Sequence, residues 1–248
     1  MTATRPYLIL QLRPEDDTSD NEYAAILKYG ELDAADTHRV RIETHGIPEL
    51  DIDDYAAIIV GGSPFDISTP QADKQPIQLK IEDDFRRLFD AVVARDKPFL
   101  GACSGCGLLG SYLGTPISKQ FGEPVGGTTV ALTDAGREDP LLADFPGEIA
   151  VLCGHKEACD RLPDGATLLL SNAACPVQMF RVGENVYATQ FHPEGDGEGF
   201  TVRIHAYKNH GYFPASEADA LIEAVNREDT PHAREILRRF VARYRDGG

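Results

Sequence analysis

The chain has 248 residues, 42% of them hydrophobic, and a formal net charge of −16 at pH 7. That length suffices for one large α/β domain with a substantial core, while the negative charge works against binding nucleic acid or an anionic membrane. There is no early basic-then-apolar segment and no apolar run of 18 residues, so secretion and membrane spanning are not expected, and the five irregularly spaced cysteines read as reduced cytoplasmic thiols rather than a disulfide framework.

In chain order, residues 7–10 form an apolar first strand, 15–20 an acidic loop, and 23–27 open a helix ending near Gly30. Residues 40–43 alternate as a second strand. The continuous apolarity of 55–60 predicts a third, buried on both faces, that runs into Gly61-Gly62-Ser63-Pro64. Residues 77–95 carry helical periodicity, and a strand follows from Pro98. Strands interleaved with helices in this way predict a doubly wound, mostly parallel open sheet flanked by helices. In such sheets sites lie beyond the carboxyl ends of strands, where Gly61-Gly62 and Cys103 both fall.

Residues 117–133, punctuated by Gly122, Pro124, Gly126 and Gly127, predict hairpins in a small antiparallel edge region. Strands are expected at 149–152, 167–170, 176–180 and 186–190, the last leading directly into Phe191-His192-Pro193-Glu194. Residues 200–209, 217–225 and 231–244 read as helices. With no repeat and no linker, the expectation is a single domain over 1–248, its core at about 7–195 and a C-terminal helical extension at about 199–246.

The segment from Lys97 to Gly114 organises the rest. A short buried strand meets a helix across Gly101-Ala102-Cys103-Ser104-Gly105, a cysteine version of the sharp turn that lifts a nucleophile above a sheet. Flanking glycines avoid collision with the neighbouring strand and helix. A helix N-terminus behind Cys103 favours its thiolate.

Gly61-Gly62-Ser63-Pro64, the cysteine elbow and Gln190-Phe191-His192-Pro193-Glu194 occur in that order. Together they resemble the class I, or triad, glutamine amidotransferases, especially the glutaminase domain of GMP synthetase and its stand-alone relatives. Cys153-Gly154-His155-Lys156 resembles that domain's SHGD segment. The resemblance implies that Cys103 attacks the side-chain amide of glutamine. His192 keeps the sulfur ionised and then protonates the leaving nitrogen, and Glu194 orients the imidazole. It puts the oxyanion donors at the backbone N–H groups of Gly62 and Ser104, and substrate contacts at Gly61, Gly107 and His155. No metal and no cofactor are implied.

One departure stands out. The family commonly has glutamine four residues after the nucleophile, where this chain has Gly107. The space left there would admit water or a γ-glutamyl compound bulkier than glutamine, which predicts weak glutaminase activity in isolation. No ATP-pyrophosphatase P-loop is visible, so an acceptor of the ammonia would be a separate synthetase.

Other readings of the same residues remain. The alternating His192, Glu194, Asp196 and Glu198 suggest a metal site, although one strand cannot wrap a cation with four such ligands. Cys103-Ser104-Gly105-Cys106 has the C-x-x-C spacing of a thiol oxidoreductase or redox sensor, in which Cys103 and Cys106 would form a disulfide. A γ-glutamyl peptide hydrolase and a non-catalytic binding module on the same fold complete the set.

Overall fold

The computed structural model describes residues 5–245; positions 1–4 and 246–248, including the last position of the expected extension, lie outside the described residues. Strand β1 (Tyr7–Gln11) is buried at every position. Its alternation sends Tyr7 and Ile9 into one hydrophobic core and Leu8 and Leu10 into a second on the opposite face. A strand covered on both faces needs helices above and below, which is the doubly wound arrangement.

The remaining strands are β2 (Thr37–Arg41), β3 (Ile58–Val60), β4 (Phe99–Ala102), β5 (Ile117–Ser118), β6 (Glu123–Leu132), β7 (Glu148–His155), β8 (Ala158–Cys159), β9 (Thr167–Ser171), β10 (Met179–Val182) and β11 (Val186–Thr189). The helices are α1 (Asp16–Gly30), α2 (Pro76–Ala94), α3 (Ser104–Tyr112), α4 (Asp134–Glu138), α5 (Gly197–Tyr207), α6 (Ala218–Val225) and α7 (Pro231–Tyr244). Nine strands share one sheet in the order β2-β1-β3-β4-β11-β10-β9-β6-β7, and β5 pairs with β8. Pairing is parallel from β2 to β11 and antiparallel from there to β7. Helices α2 and α3 cover one face; α1 and α7 cover the other.

Three local expectations change. The acidic stretch 15–20 is not a loop, because Asp16 and Asp17 form the first turn of α1, where carboxylates suit the helix dipole. Residues 123–132 form one ten-residue strand rather than hairpins, with the irregularity at Pro124 absorbed as a register shift between Glu123 and Gly126. The C-terminal helices are part of the core. Ile236, Leu237, Phe240 and Val241 of α7 are buried, and the Tyr7 hydroxyl donates to the Val241 carbonyl at 2.6 Å.

Strands β4 and β11 lie side by side in parallel, with Ala102 opposite Thr189. Their carboxyl ends therefore deliver Cys103 and His192 to the same rim of the sheet. No helix among the described residues is long and apolar enough to cross a membrane.

Candidate active site

Cys103 follows β4 and caps α3 with φ 51° and ψ −98°, a conformation non-glycine residues rarely hold. Its N–H donates to the Thr189 carbonyl at 2.8 Å, and its carbonyl accepts from the Gly107 N–H at 3.0 Å, so strand and helix both pin the turn. A Cβ at Gly101 would stand 2.8 Å from the Gly105 carbonyl carbon, which explains glycine two residues before the cysteine. Of the five cysteines only Cys103 is partly exposed.

His192 lies just past β11, with its N–H bonded to the Leu152 carbonyl at 3.1 Å. Its Nδ1 is 2.8 Å from Glu194 Oε1, and both side chains are buried. Phe200 of α5 meets the imidazole edge-on, with ring centroids 5.6 Å apart. His192 and Cys103 line one cavity with Arg13, Ser63, Tyr207 and Tyr212, leaving about 40 Å³ of internal space.

Burial pushes the Cys103 thiol up to about 11, against the pull of Arg13 and Arg203. Burial likewise holds His192 below its ordinary value, with Arg203 and Arg13 adding to the effect and Glu194 opposing it. Desolvation thus opposes the expected ionised sulfur, and it disfavours a protonated imidazole at His192 as well. Burial would raise the Glu194 carboxyl as well, but His192 and Arg203 outweigh it and keep it well below the usual carboxylate range.

Behind the His192–Glu194 pair lies a charged cluster that the motifs do not reveal. Arg203 of α5 donates from Nη2 to Glu194 Oε1 at 2.8 Å. Arg13 donates from Nε to Glu22 Oε2 at 2.7 Å, and Arg203 Nη2 lies 3.9 Å from that same oxygen. Glu22 shares a face of α1 with Ala25 and Ile26, and Arg203 shares one of α5 with Phe200, Ile204 and Tyr207. A charged residue in phase with a buried apolar stripe was the available signal.

This cluster corrects two expectations. The Gly62 N–H donates to Glu22 Oε2 at 3.2 Å, so a buried carboxylate already engages it. Gly61 does not line the cavities beside Cys103; it packs against the Glu22 carboxylate, which a Cβ there would overlap. The next residue, Ser63, lines both cavities, its N–H has no hydrogen-bond partner among the described residues, and Ser104 Oγ bonds to the Ser63 carbonyl at 3.3 Å.

On the far side of Cys103 a second cavity, with about 20 Å³ of space, is bounded by Ser104, Gly107, Ile67, His155, Glu157 and Tyr212. His155 belongs to this wall, but its ring nitrogens are already taken. Nε2 lies 3.0 Å from Glu123 Oε2 and Nδ1 lies 3.1 Å from the Glu157 carbonyl. Glu157 in turn accepts from the Ile67 and Ser68 N–H groups at 2.5 and 2.9 Å, so His155 braces the wall rather than offering a free donor. The space beside Gly107 is bordered by Ile67, whose Cδ1 would stand 2.7 Å from a Cβ placed there.

Glu22, His192 and Glu194 bring possible ligand atoms within 4.8 Å of one another. Arg13 and Arg203 already bond to those carboxylates, so the charge a cation would supply is provided by guanidinium groups. Asp196 is turned away to cap α5, accepting from Gly199 N–H at 2.8 Å. The suggested Cys103–Cys106 pair is also not assembled: both thiols are free, and Cys106 is fully buried in α3 next to Cys159.

Residues 19–213 match the family model described as glutamine amidotransferase class-I. The chain belongs to the class-I glutamine amidotransferases. That family is one of cysteine-dependent amidotransferase enzymes, and the match spans the elbow and the His192-Pro193-Glu194 segment alike. The chain is 28% identical over 142 residues to the glutamine amidotransferase-like protein YfeJ of Salmonella typhimurium, covering 57% of this chain and 58% of that one. It is 35% identical over 98 residues to a glutamine-hydrolysing GMP synthase subunit of Thermoplasma acidophilum, covering 39% and 48% respectively. The chain thus spans about half the length of these curated relatives. A crystal structure of a glutamine amidotransferase from Thermotoga maritima shares the fold, with TM-score 0.76, 20% identity, and coverage of 97% of this chain and 98% of that one.

Proposed function

We propose that this amidotransferase hydrolyses the γ-amide of glutamine through a thioester on Cys103 and releases ammonia for a separate acceptor enzyme. The observation that carries the reading is Cys103 held in a left-handed elbow on the same cavity wall as a buried His192–Glu194 pair. A carboxamide is a poor electrophile, so its cleavage needs a strong nucleophile and a proton donor for the nitrogen.

In this mechanism His192 takes the Cys103 proton as the sulfur attacks the amide carbon, and the resulting imidazolium is stabilised by Glu194. The tetrahedral oxyanion is received by the N–H groups of Ser63 and Ser104, the former replacing Gly62 because Glu22 engages the Gly62 N–H. His192 returns its proton to the departing nitrogen, and ammonia leaves. Water, deprotonated by the same imidazole, then cleaves the thioester to give glutamate and free thiol. The small cavities beside Cys103 share Ser63, Gly154 and Tyr212 as walls.

The chain acts here as one amidotransferase domain in the cytoplasm, without a cofactor. The ammonia acceptor is a separate synthetase; the relative from Thermoplasma acidophilum is itself named as one subunit of a glutamine-hydrolysing GMP synthase. The test is ammonia and glutamate release from glutamine by the purified protein, with γ-glutamyl peptides assayed beside it. No release from glutamine, with turnover of γ-glutamyl peptides instead, would overturn the reading.

A further inference from the structure

We infer that Glu22, about eighty residues before the nucleophile, is a positioning residue whose carboxylate joins the loop beside the oxyanion site to the histidine–glutamate pair. The inference rests on the amidase reading for its role in turnover, while its geometry stands independently.

Glu22 is fully buried on α1, and four groups converge on its carboxylate. Gly62 N–H and Arg13 Nε bond to Oε2 at 3.2 and 2.7 Å, Arg203 Nη2 lies 3.9 Å from the same oxygen, and Gln11 Nε2 donates to Oε1 at 3.1 Å. Arg203 carries the connection onward, because its Nη2 also bonds to Glu194 Oε1, the oxygen that holds His192 Nδ1. One connected set of contacts thus runs from the Gly62 loop through Glu22 and Arg203 to His192. The loop precedes α2, Glu22 sits on α1 and Arg203 on α5, so the contacts tie together three parts of the chain that share no backbone hydrogen bonds at this point.

The chain makes room for this arrangement. A Cβ at Gly61 would overlap the Glu22 carboxylate, and one at Gly62 would stand 2.5 Å from Arg13 Nη2 and 2.8 Å from His192 Cε1. The paired glycines therefore serve to admit a buried carboxylate and guanidinium beneath the active site. Two arginines and two glutamates balance in charge, which is what a buried ionic cluster requires. Removing one member leaves a net charge beside His192, since Glu22, His192 and Glu194 have atoms within 4.8 Å of one another.

The charges facing His192 are Glu194 on its own segment, Arg203 from α5, Arg13 after β1 and Glu22 from α1. Those facing Cys103 are Arg13, Arg203, Glu194 and Glu157, with Tyr212 alongside. Loss of the Glu22 charge leaves the arginines in excess and shifts both reacting groups toward lower pH. Loss of the Arg203 charge leaves the carboxylates in excess and shifts both upward. A residue that only packs predicts no such opposition.

The experiment compares wild type with E22Q, R203M and the double variant. It reads kcat and KM for glutamine, and separately the pH profile of Cys103 alkylation by iodoacetamide, located by peptide mapping. The expected result is a kcat loss of about 10- to 100-fold in each single variant with KM changed by less than about threefold. The alkylation midpoint moves down in E22Q and up in R203M, each by about one pH unit, and returns toward wild type in the double variant. Unmoved midpoints, or midpoints moving in the same direction, in folded variants overturn the inference. If E22Q does not fold, R203K against R203M carries the comparison, and a midpoint displaced equally by both overturns it. If none of these variants folds, the cluster is a folding requirement and the positioning role fails. Alkylation needs no substrate, so a wild type without glutamine turnover would defeat the amidase reading alone.

Discussion

The Ile67 Cδ1 methyl stands 2.7 Å from where a Cβ on Gly107 would lie. Beyond the adjoining backbone of α3, no other atom among the described residues lies within 4 Å of that position, and Gly107 lines the second cavity. A side chain there displaces only the end of a half-buried isoleucine, so G107Q should fold with little change in stability, the helix gain over glycine offsetting the shift of Ile67. Its added amide should raise kcat/KM for glutamine, and G107Q combined with I67A should raise it further. Thermal melts and steady-state kinetics check this; a destabilised G107Q with unchanged kcat/KM would show that Ile67 does not yield.

Variants of the proposed triad should separate by role. C103A abolishes turnover while keeping the wild-type melting temperature, because alanine meets the same backbone demand at φ 51°. H192A should be nearly as damaging. E194Q should retain about ten to a hundred times more activity than C103A, since a glutamine oxygen can still accept from Nδ1. Wild-type activity in C103A on glutamine would end the thioester mechanism.

The pH dependence follows from the burial of His192 and Cys103. His192 must be unprotonated to accept the Cys103 proton, and burial holds it below its ordinary value. The kcat/KM for glutamine should therefore rise through a midpoint below about 6.5 and be level at neutral pH. With Cys103 near 11, no second rise is expected before strongly alkaline pH. An acid limb centred above the ordinary histidine value would contradict this. Stability has the same sign: Glu194 is held low, so its contribution is present above the unfolded carboxylate value near 4.3 and lost as pH falls below it. Acid denaturation of wild type against E194Q reads that difference.

The oxyanion assignment to Ser63 is tested through its N–H rather than its side chain. S63P removes the donor and should lower kcat by about 100- to 1000-fold, whereas S63A keeps it and should cost little beyond the Ser63 Oγ bond to Phe65 N–H at 2.8 Å. Equal kcat in S63P and S63A, both folded, would return the donor to Gly62.

Thiol chemistry should be confined to one residue. Cys106 is buried against Cys159, and burial pushes Cys153 upward and Cys175 up to about 12. Iodoacetamide at neutral pH should give a single adduct, on Cys103. Mild peroxide should yield no Cys103–Cys106 disulfide. Peptide mapping that finds this linkage would revive the redox reading.

The doubly wound sheet and the positions of Cys103, His192 and Glu194 were legible in the chain because local signals carry them. Apolar runs mark β1, β3 and β4, glycines mark the elbow, and His192 and Glu194 are two residues apart, close enough to bond whatever surrounds them. Helix α7 was readable to the residue, since Pro231 opens it and its apolar stripe repeats at helical spacing. The partners of Gly61, Gly62 and Gly107 were not. A glycine records that space is needed, not what fills it, and the Glu22 carboxylate and the Ile67 side chain arrive from elsewhere in the chain. The same holds for ionisation: a helix N-terminus argued for a thiolate at Cys103, but desolvation in the folded chain pushes the thiol up. Residue type and spacing are properties of the chain, whereas desolvation and long-range charge pairing exist only once distant segments have packed.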